Sequence, residues 1–441
     1  MTAPPLLPGS RLVGSALDLR RSQIRTYERA MREYGDVVRI AVGPPGLRFD
    51  LYCVFHPDGV RRVLAGPRGT YSKGNRFYRE IAASFGRGLL TSEGELWRQQ
   101  RRLIQPLFTR RTIATYADLM VEESTALADR WARDGALVDA NAEMVRLTLR
   151  VVGRAIFGDD IDRAGAVLDR AFPVLNAYTY RRAIAPVSVP AAWPTPANRR
   201  AARAREELYA VVDELVAKRS RDGGGGEDLL SRLLGARDAD TGEPMDRQQI
   251  RDEALIFLLA GHETTSTALT YTLFLLGRHP EEQERVHEEV AAAAGDPAAL
   301  PRTAMAVKEA MRLYPPAYAL GRTLHADEEI GGHRIPADSF VAVSQWATHR
   351  HASFWEEAER FDPERFAPER EAERHPYAYF PFGGGPRGCI GSHFALMEAV
   401  IALSILLGRH RIAAVPDDVP VDTNGITLRP AGAVPIRLAA R

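Results

Sequence analysis

The stretch Phe382-Gly383-Gly384-Gly385-Pro386-Arg387-Gly388-Cys389-Ile390-Gly391 decides what this 441-residue chain folds into. Five of its ten residues are glycine. Ordering so many glycines costs conformational entropy, so a plain surface loop has no use for them. Glycine is required where backbone takes φ > 0 or comes close to another body. Cys389 stands just ahead of the apolar segment 394–407, whose pattern predicts a helix. A cysteine at a helix start meets free backbone N–H groups and the positive end of the helix dipole, which favour its thiolate. One thiolate on a flat glycine-rich loop suits a single axial bond to a planar metal cofactor, and haem iron held by a Cys thiolate is that case. The alternative is a lone buried cysteine beside a flexible loop.

Outward from this loop, 361–391 is dense in Pro, Gly and aromatics, and 320–344 reads as strands and turns. Pro315-Pro316 ends a helix over 303–313, preceded by one over 281–293. Asp246 and Gln249 have capping-box spacing and start a long helix reaching about Gly277. Its run 255–260 is apolar on nearly all sides, so it should pass through the core. Helices are expected at 97–108, 113–133, 143–157 and 198–219, and a surface loop at 223–226. Residues 37–42 and 51–55 are β-rich and flank Gly43-Pro44-Pro45-Gly46, which predicts a hairpin with Cys53 as a packed strand residue. Pro4 to Gly9 forms a stiff lead-in, and 426–438 ends the chain in strands. The expected class is mainly α with small β-sheets (α+β), as a single domain over 1–441.

Composition narrows the function. Lys+Arg number 58 against 57 Asp+Glu, a net charge of +1, so no global field exists to hold nucleic acid. Glycine (36) and proline (29) stay well below the share of a low-complexity chain. Two cysteines, Cys53 and Cys389, cannot make a disulfide framework or a four-cysteine metal site, and they suit a reducing cytoplasm. The segment 1–25 is broken by Pro4, Pro5, Pro8, Gly9, Arg11, Asp18 and Arg20, so neither a membrane anchor nor a signal peptide is expected. His349 and His351 have no metal spacing to other ligands and are expected to be structural.

Phe382-x-x-Gly385-x-Arg387-x-Cys389-x-Gly391 resembles the haem-binding signature of the cytochrome P450 family. Three further stretches match in order. Ala260-Gly261-His262-Glu263-Thr264-Thr265 resembles the family's oxygen-activating motif, Glu309-x-x-Arg312 with Arg365 its structural charge network, and Trp97-x-x-x-Arg101 its haem-carboxylate contacts. An acid and an alcohol inside an apolar helix are costly without a use, about 1–3 kcal/mol for each unpaired polar group. Gly261 is expected to clear space for a flat ligand pressing on the helix.

The resemblance implies a single-domain P450 fold with haem b between the long core helix and the helix after the cysteine loop. It implies monooxygenation: one oxygen atom of O2 enters a sizeable, mostly apolar small molecule, such as a polyketide, macrolide or terpenoid intermediate, with a fatty acid or steroid as the alternative. Cys389 would be the iron ligand, with Trp97, Arg101, Ala260, Gly261, Arg322, Phe382, Gly383, Arg387 and Gly391 around the cofactor. Thr264 and Glu263 would deliver protons. Phe77, Leu89, Ile256, Phe257, Ala260, Ala317, Leu320 and Ile426 would meet substrate, under a lid over 171–189. No Gly-x-Gly-x-x-Gly follows a strand. Electrons from NAD(P)H are therefore expected through a separate reductase and a ferredoxin or flavodoxin-type partner, docking on Arg98, Arg102, Arg110 and Arg111. The expected state is a cytoplasmic monomer.

Overall fold

The computed structural model describes residues 2–134, 137–158, 161–185, 189–221, 226–293 and 295–441. Residues 223–225 of the expected surface loop and 186–188 of the expected lid lie outside them. The chain forms two compact units, each drawn from distant stretches of sequence. One comprises Met1–Asn75, Met305–Cys389 and Thr427–Arg429, the other Arg76–Ala304, Ile390–Ile426 and Pro430–Arg441.

The first unit is built on the expected hairpin. Val37–Val42 pairs antiparallel with Phe49–Val54, with Val38 opposite Cys53 and Ile40 opposite Leu51. The sheet grows to six strands in the order Leu6–Leu7, Val37–Val42, Phe49–Val54, Phe340–Val343, Leu320–Leu324, Tyr71–Ser72. Both faces of these strands are covered, so alternate residues enter different cores. Val38, Ile40, Leu51 and Cys53 pack with Tyr27, Ala30 and Met31 of the helix Gln23–Tyr34. Val37, Tyr52, Val54, Val341 and Val343 pack with Val60, Val63 and Leu64 of the helix Pro57–Ala65. Cys53 is 1 % exposed and burial pushes its thiol well above the usual range, which leaves it a packing residue.

The second unit surrounds the helix Arg247–Arg278, called the core helix below. Asp246 caps it by accepting from the Gln249 backbone N–H at 2.7 Å. Of its 32 residues 22 are buried, as an all-round apolar run requires. Thr265, Thr270 and Thr272 satisfy their hydroxyls on carbonyls four residues back, which lets them sit inside the core. Helices Ala140–Phe157, Pro196–Arg221 and Ser392–Arg409 belong to the same unit. Among the described residues Ser392–Arg409 is the one helix long and apolar enough to cross a membrane, and Glu398 to Leu403, Leu406 and Leu407 along it are buried in the fold.

Three helical readings change. The helix expected over 97–108 is Gly94–Ile104 followed by a 3-10 turn Gln105–Phe108, because Pro106 has no N–H to continue the ladder. The helix expected over 113–133 is divided into Arg110–Ala114 and Ala117–Asp134, with Thr115 Oγ1 donating back to the Thr112 carbonyl at the break. Of the segment expected to hold a lid, residues 171–184 belong to the helix Ile161–Ile184, which holds Pro173 within it.

Candidate functional site

In the first unit the cysteine loop is fixed by its own backbone. The Cys389 N–H donates to the Phe382 carbonyl at 2.9 Å and the Gly388 N–H to the Gly385 carbonyl at 3.0 Å. Gly385 has φ +63°, and a Cβ there would lie 2.2 Å from the Leu64 carbonyl oxygen, so only glycine fits. The glycines thus serve close packing against the protein's own helix Pro57–Ala65 as well as any cofactor. Gly383 also takes a positive φ, beside Leu320, while Gly391 faces open space. The result is an exposed Cys389, in contrast to buried Cys53. Cys389 lies three residues before Ser392–Arg409, whose N-cap Gly391 offers no side-chain cap. Phe382 and Arg387 are half-buried beside it in the sequence.

Arg322 is 4 % exposed on the strand Leu320–Leu324, where its Nη1 donates to the Gly321 carbonyl. Among the described residues it pairs with no carboxylate. A buried guanidinium is costly without an anion, so this position suits an acidic group brought by a ligand. An exposed thiol and an unneutralised buried Arg in one unit fit a cofactor that carries both a metal and carboxylates.

The same unit holds the charge network. Arg312 and Glu309 are both fully buried, joined at 2.7 and 2.8 Å in a bidentate pair. Arg312 also donates to the carbonyls of His349, Ala358 and Arg360, so its whole fork is used. Arg365 Nε approaches Glu309 at 3.5 Å. His349 is fully buried, its Nε2 accepts the Phe380 N–H at 3.0 Å, and burial holds it neutral. His351 Nε2 lies 2.9 Å from Asp36 Oδ1.

In the second unit the core helix carries the acid–alcohol pair. It is buried along most of its length but opens at Ala260, which is exposed, with Gly261, Glu263 and Thr264 half-buried. Thr264 Oγ1 donates to the Ala260 carbonyl at 2.7 Å, which spends its proton and leaves its lone pairs to accept. A Cβ at Gly261 would lie 2.7 Å from Val152 Cγ2, so this glycine lets the helix Ala140–Phe157 come close. Glu263 is not at the surface as a solvated acid. Its carboxylate accepts from Asn176 Nδ2 of the helix Ile161–Ile184 at 2.9 Å to each oxygen.

Phe77, Leu89, Ile256, Phe257 and Ile426 all belong to the large apolar cluster of this unit, which Trp97 also joins. Phe257 meets Phe108 with ring centroids 5.4 Å apart. Ala317 and Leu320 are half-buried in the first unit. Arg101 Nε donates to Gln105 one turn on, at 3.1 Å. The expected cationic docking stripe is corrected: Arg98 pairs with Glu95, and Arg102 pairs with Asp238, Asp240 and Glu95. Acidic neighbours from the same helix and from 238–240 neutralise it. Arg110 and Arg111 are exposed at the start of their short helix.

Two features escaped the sequence. Asp252 and Glu253 are buried on the core helix and accept the backbone N–H groups of Arg87 and Leu89, both at 2.9 Å. The logic that singled out Glu263, an acid in an apolar helix, applied equally to them. Asn176 gave no signal because nothing in the local sequence pairs it with Glu263, 87 residues on.

A family profile described as "Cytochrome P450" matches residues 4–434. Cyclooctatin synthase of Streptomyces melanosporofaciens is 37% identical over 424 residues, covering 94% of this chain and 90% of that protein. Cyclooctat-9-en-7-ol 5-monooxygenase of the same organism is 35% identical over 425 residues, covering 94% and 90%. Pentalenene oxygenase of Streptomyces avermitilis is 33% identical over 424 residues, covering 94% and 92%. The crystal structure of the cytochrome P450DA heme domain superposes with a TM-score of 0.88 at 28% identity, covering 100% of this chain and 98% of that one.

Proposed function

The chain belongs to the cytochrome P450 family and is a monooxygenase of it; from that premise we propose that it inserts one oxygen atom of O2 into a cyclic terpenoid intermediate of secondary metabolism. The exposed Cys389 thiol at the end of its hydrogen-bonded glycine loop carries the catalytic part of this reading. The substrate class rests on the relatives, whose names refer to cyclooctatin, cyclooctat-9-en-7-ol and pentalenene.

The thiolate of Cys389 would hold haem iron, and Arg322, Arg387, Arg101 and Trp97 would hold its carboxylates. When bound, the haem supplies oxygen activation and transfer, which no protein side chain can do. Thr264 presents oxygen lone pairs at the open part of the core helix, and Glu263 passes protons to it. The apolar set of Phe77, Leu89, Ile256, Phe257 and Ile426 orients a hydrocarbon skeleton and keeps bulk water out. Electrons come from NAD(P)H through a separate ferredoxin or flavodoxin-type protein, and the enzyme works in the cytoplasm.

The test is a titration of the haem-loaded protein with cyclic diterpene and sesquiterpene hydrocarbons and alcohols, against a linear fatty acid of equal carbon number. The terpenoids should displace the Soret band at low concentration and yield a product heavier by one oxygen atom. A response to the fatty acid alone would refute the substrate class.

A further inference from the structure

Glu263 is held in place by another helix. Among the described residues, Asn176 is the one hydrogen-bond donor to its carboxylate, with Nδ2 2.9 Å from each oxygen. Asn176 is 2 % exposed, whereas Glu263 is half-buried. One turn earlier on the same face, Phe172 packs edge-on against His262, with ring centroids 4.8 Å apart. Two consecutive residues of the core helix are thus seated by two residues of Ile161–Ile184. His262 is itself fixed, with Nδ1 2.6 Å from the Leu258 carbonyl and its own carbonyl accepting from Thr148 Oγ1 at 2.9 Å. Further along, Thr179 Oγ1 donates to the Leu175 carbonyl at 2.7 Å and lies 2.6 Å from Ser84 Oγ, whose hydroxyl it can accept, which ties Ile161–Ile184 to the helix Arg76–Phe85.

The chemistry of the partner matters. Arg or Lys here would neutralise Glu263 and clamp it in a charge-assisted pair. A neutral amide donates to the carboxylate without cancelling its charge, so the group stays oriented but can be released at low cost. We propose that Asn176 is a positioning residue for proton delivery, holding the Glu263 carboxylate so that the seating of Ile161–Ile184 determines when it turns to Thr264. This rests on the reading of Glu263 as a proton relay. In each cycle Glu263 takes a proton from water and gives it to Thr264 Oγ1 as Thr264 passes on its own, and both residues end unchanged.

Two measurements test it. In the haem-loaded protein, hydrogen exchange of the Ile161–Ile184 amides is compared for wild type, Asn176→Ala, Glu263→Gln and the double variant. The single changes should each speed exchange several-fold, and the double change should add little to either. Additive effects would overturn the contact. The solvent deuterium isotope effect on reductant-driven oxygen consumption, measured without substrate, reads proton delivery. Glu263→Gln should alter it at least twofold, Asn176→Ala should alter it too, and the double variant should match Glu263→Gln. A wild-type isotope effect in Asn176→Ala beside an altered one in Glu263→Gln overturns the positioning role alone. A wild-type value in Glu263→Gln refutes the relay, and with it the role of Asn176. Asn176→Ser, which keeps a shorter donor, reads the same way if the alanine variant loses haem.

Discussion

Replacing Glu263's neighbour in kind, the buried acid Glu253, with glutamine should change how stability depends on pH. Glu253 is 0 % exposed, and Oε2 accepts the Leu89 N–H while Oε1 has no partner among the described residues. Burial pushes its carboxyl from the ordinary 4.5 up to about 8, against the pull of that N–H, with Asp252 adding to the rise. The folded protein therefore keeps this proton through neutrality, whereas the unfolded chain releases it near 4.5. Between about pH 5 and 8 the folded state binds the extra proton, so raising the pH favours unfolding by about 1.4 kcal/mol per unit. Over the window this reaches about 4 kcal/mol, a large share of the 5–15 kcal/mol that holds a typical domain together. Glu253→Gln keeps an oxygen for the Leu89 N–H and cannot titrate. Urea unfolding of both proteins at pH 5, 7 and 9 should show a stability gap that opens in favour of the variant as pH rises. A gap that stays constant from pH 5 to 9, or closes, would refute the assignment of a proton to this side chain.

Thr264→Ala should retain haem but divert reducing equivalents to peroxide, while turnover supported by added peroxide suffers much less; equal loss of both would exclude a proton-delivery role. Glu309→Ala leaves the fully buried Arg312 charge uncompensated and should cost about 3–5 kcal/mol, read as a fall in the thermal midpoint. Gly385→Ala forces a side chain into a positive φ and against the Leu64 carbonyl, and should cost at least about 2 kcal/mol in the same assay. An unchanged midpoint in either variant would contradict the packing described.

The hairpin at 37–54 was legible because turn chemistry and strand pattern agree over a dozen residues. The core helix was legible because Asp246 caps a long apolar run, and the cysteine loop because its residues are costly anywhere else. What sequence spacing could not reveal was the partner of each group. Gly261 looks alike whether it faces a ligand or Val152. Arg98 and Arg102 share a helix face as expected, but Glu95 offsets the charge of both, and Asp238 and Asp240, remote in sequence, offset that of Arg102. No helix was read over Ile161–Ile184, which holds Pro173 within it, where tertiary packing overrides the local penalty. Asn176 was lost with that helix, although it is the group that orients Glu263.

The axial role of Cys389 is tested most directly by the spectrum of the reduced protein under carbon monoxide. Wild type and Cys53→Ser should both give the Soret band of a thiolate-ligated haem, since Cys53 only packs within its sheet. Cys389→His should lose that band. A thiolate band that survives Cys389→His, or vanishes with Cys53→Ser, would contradict the assignment.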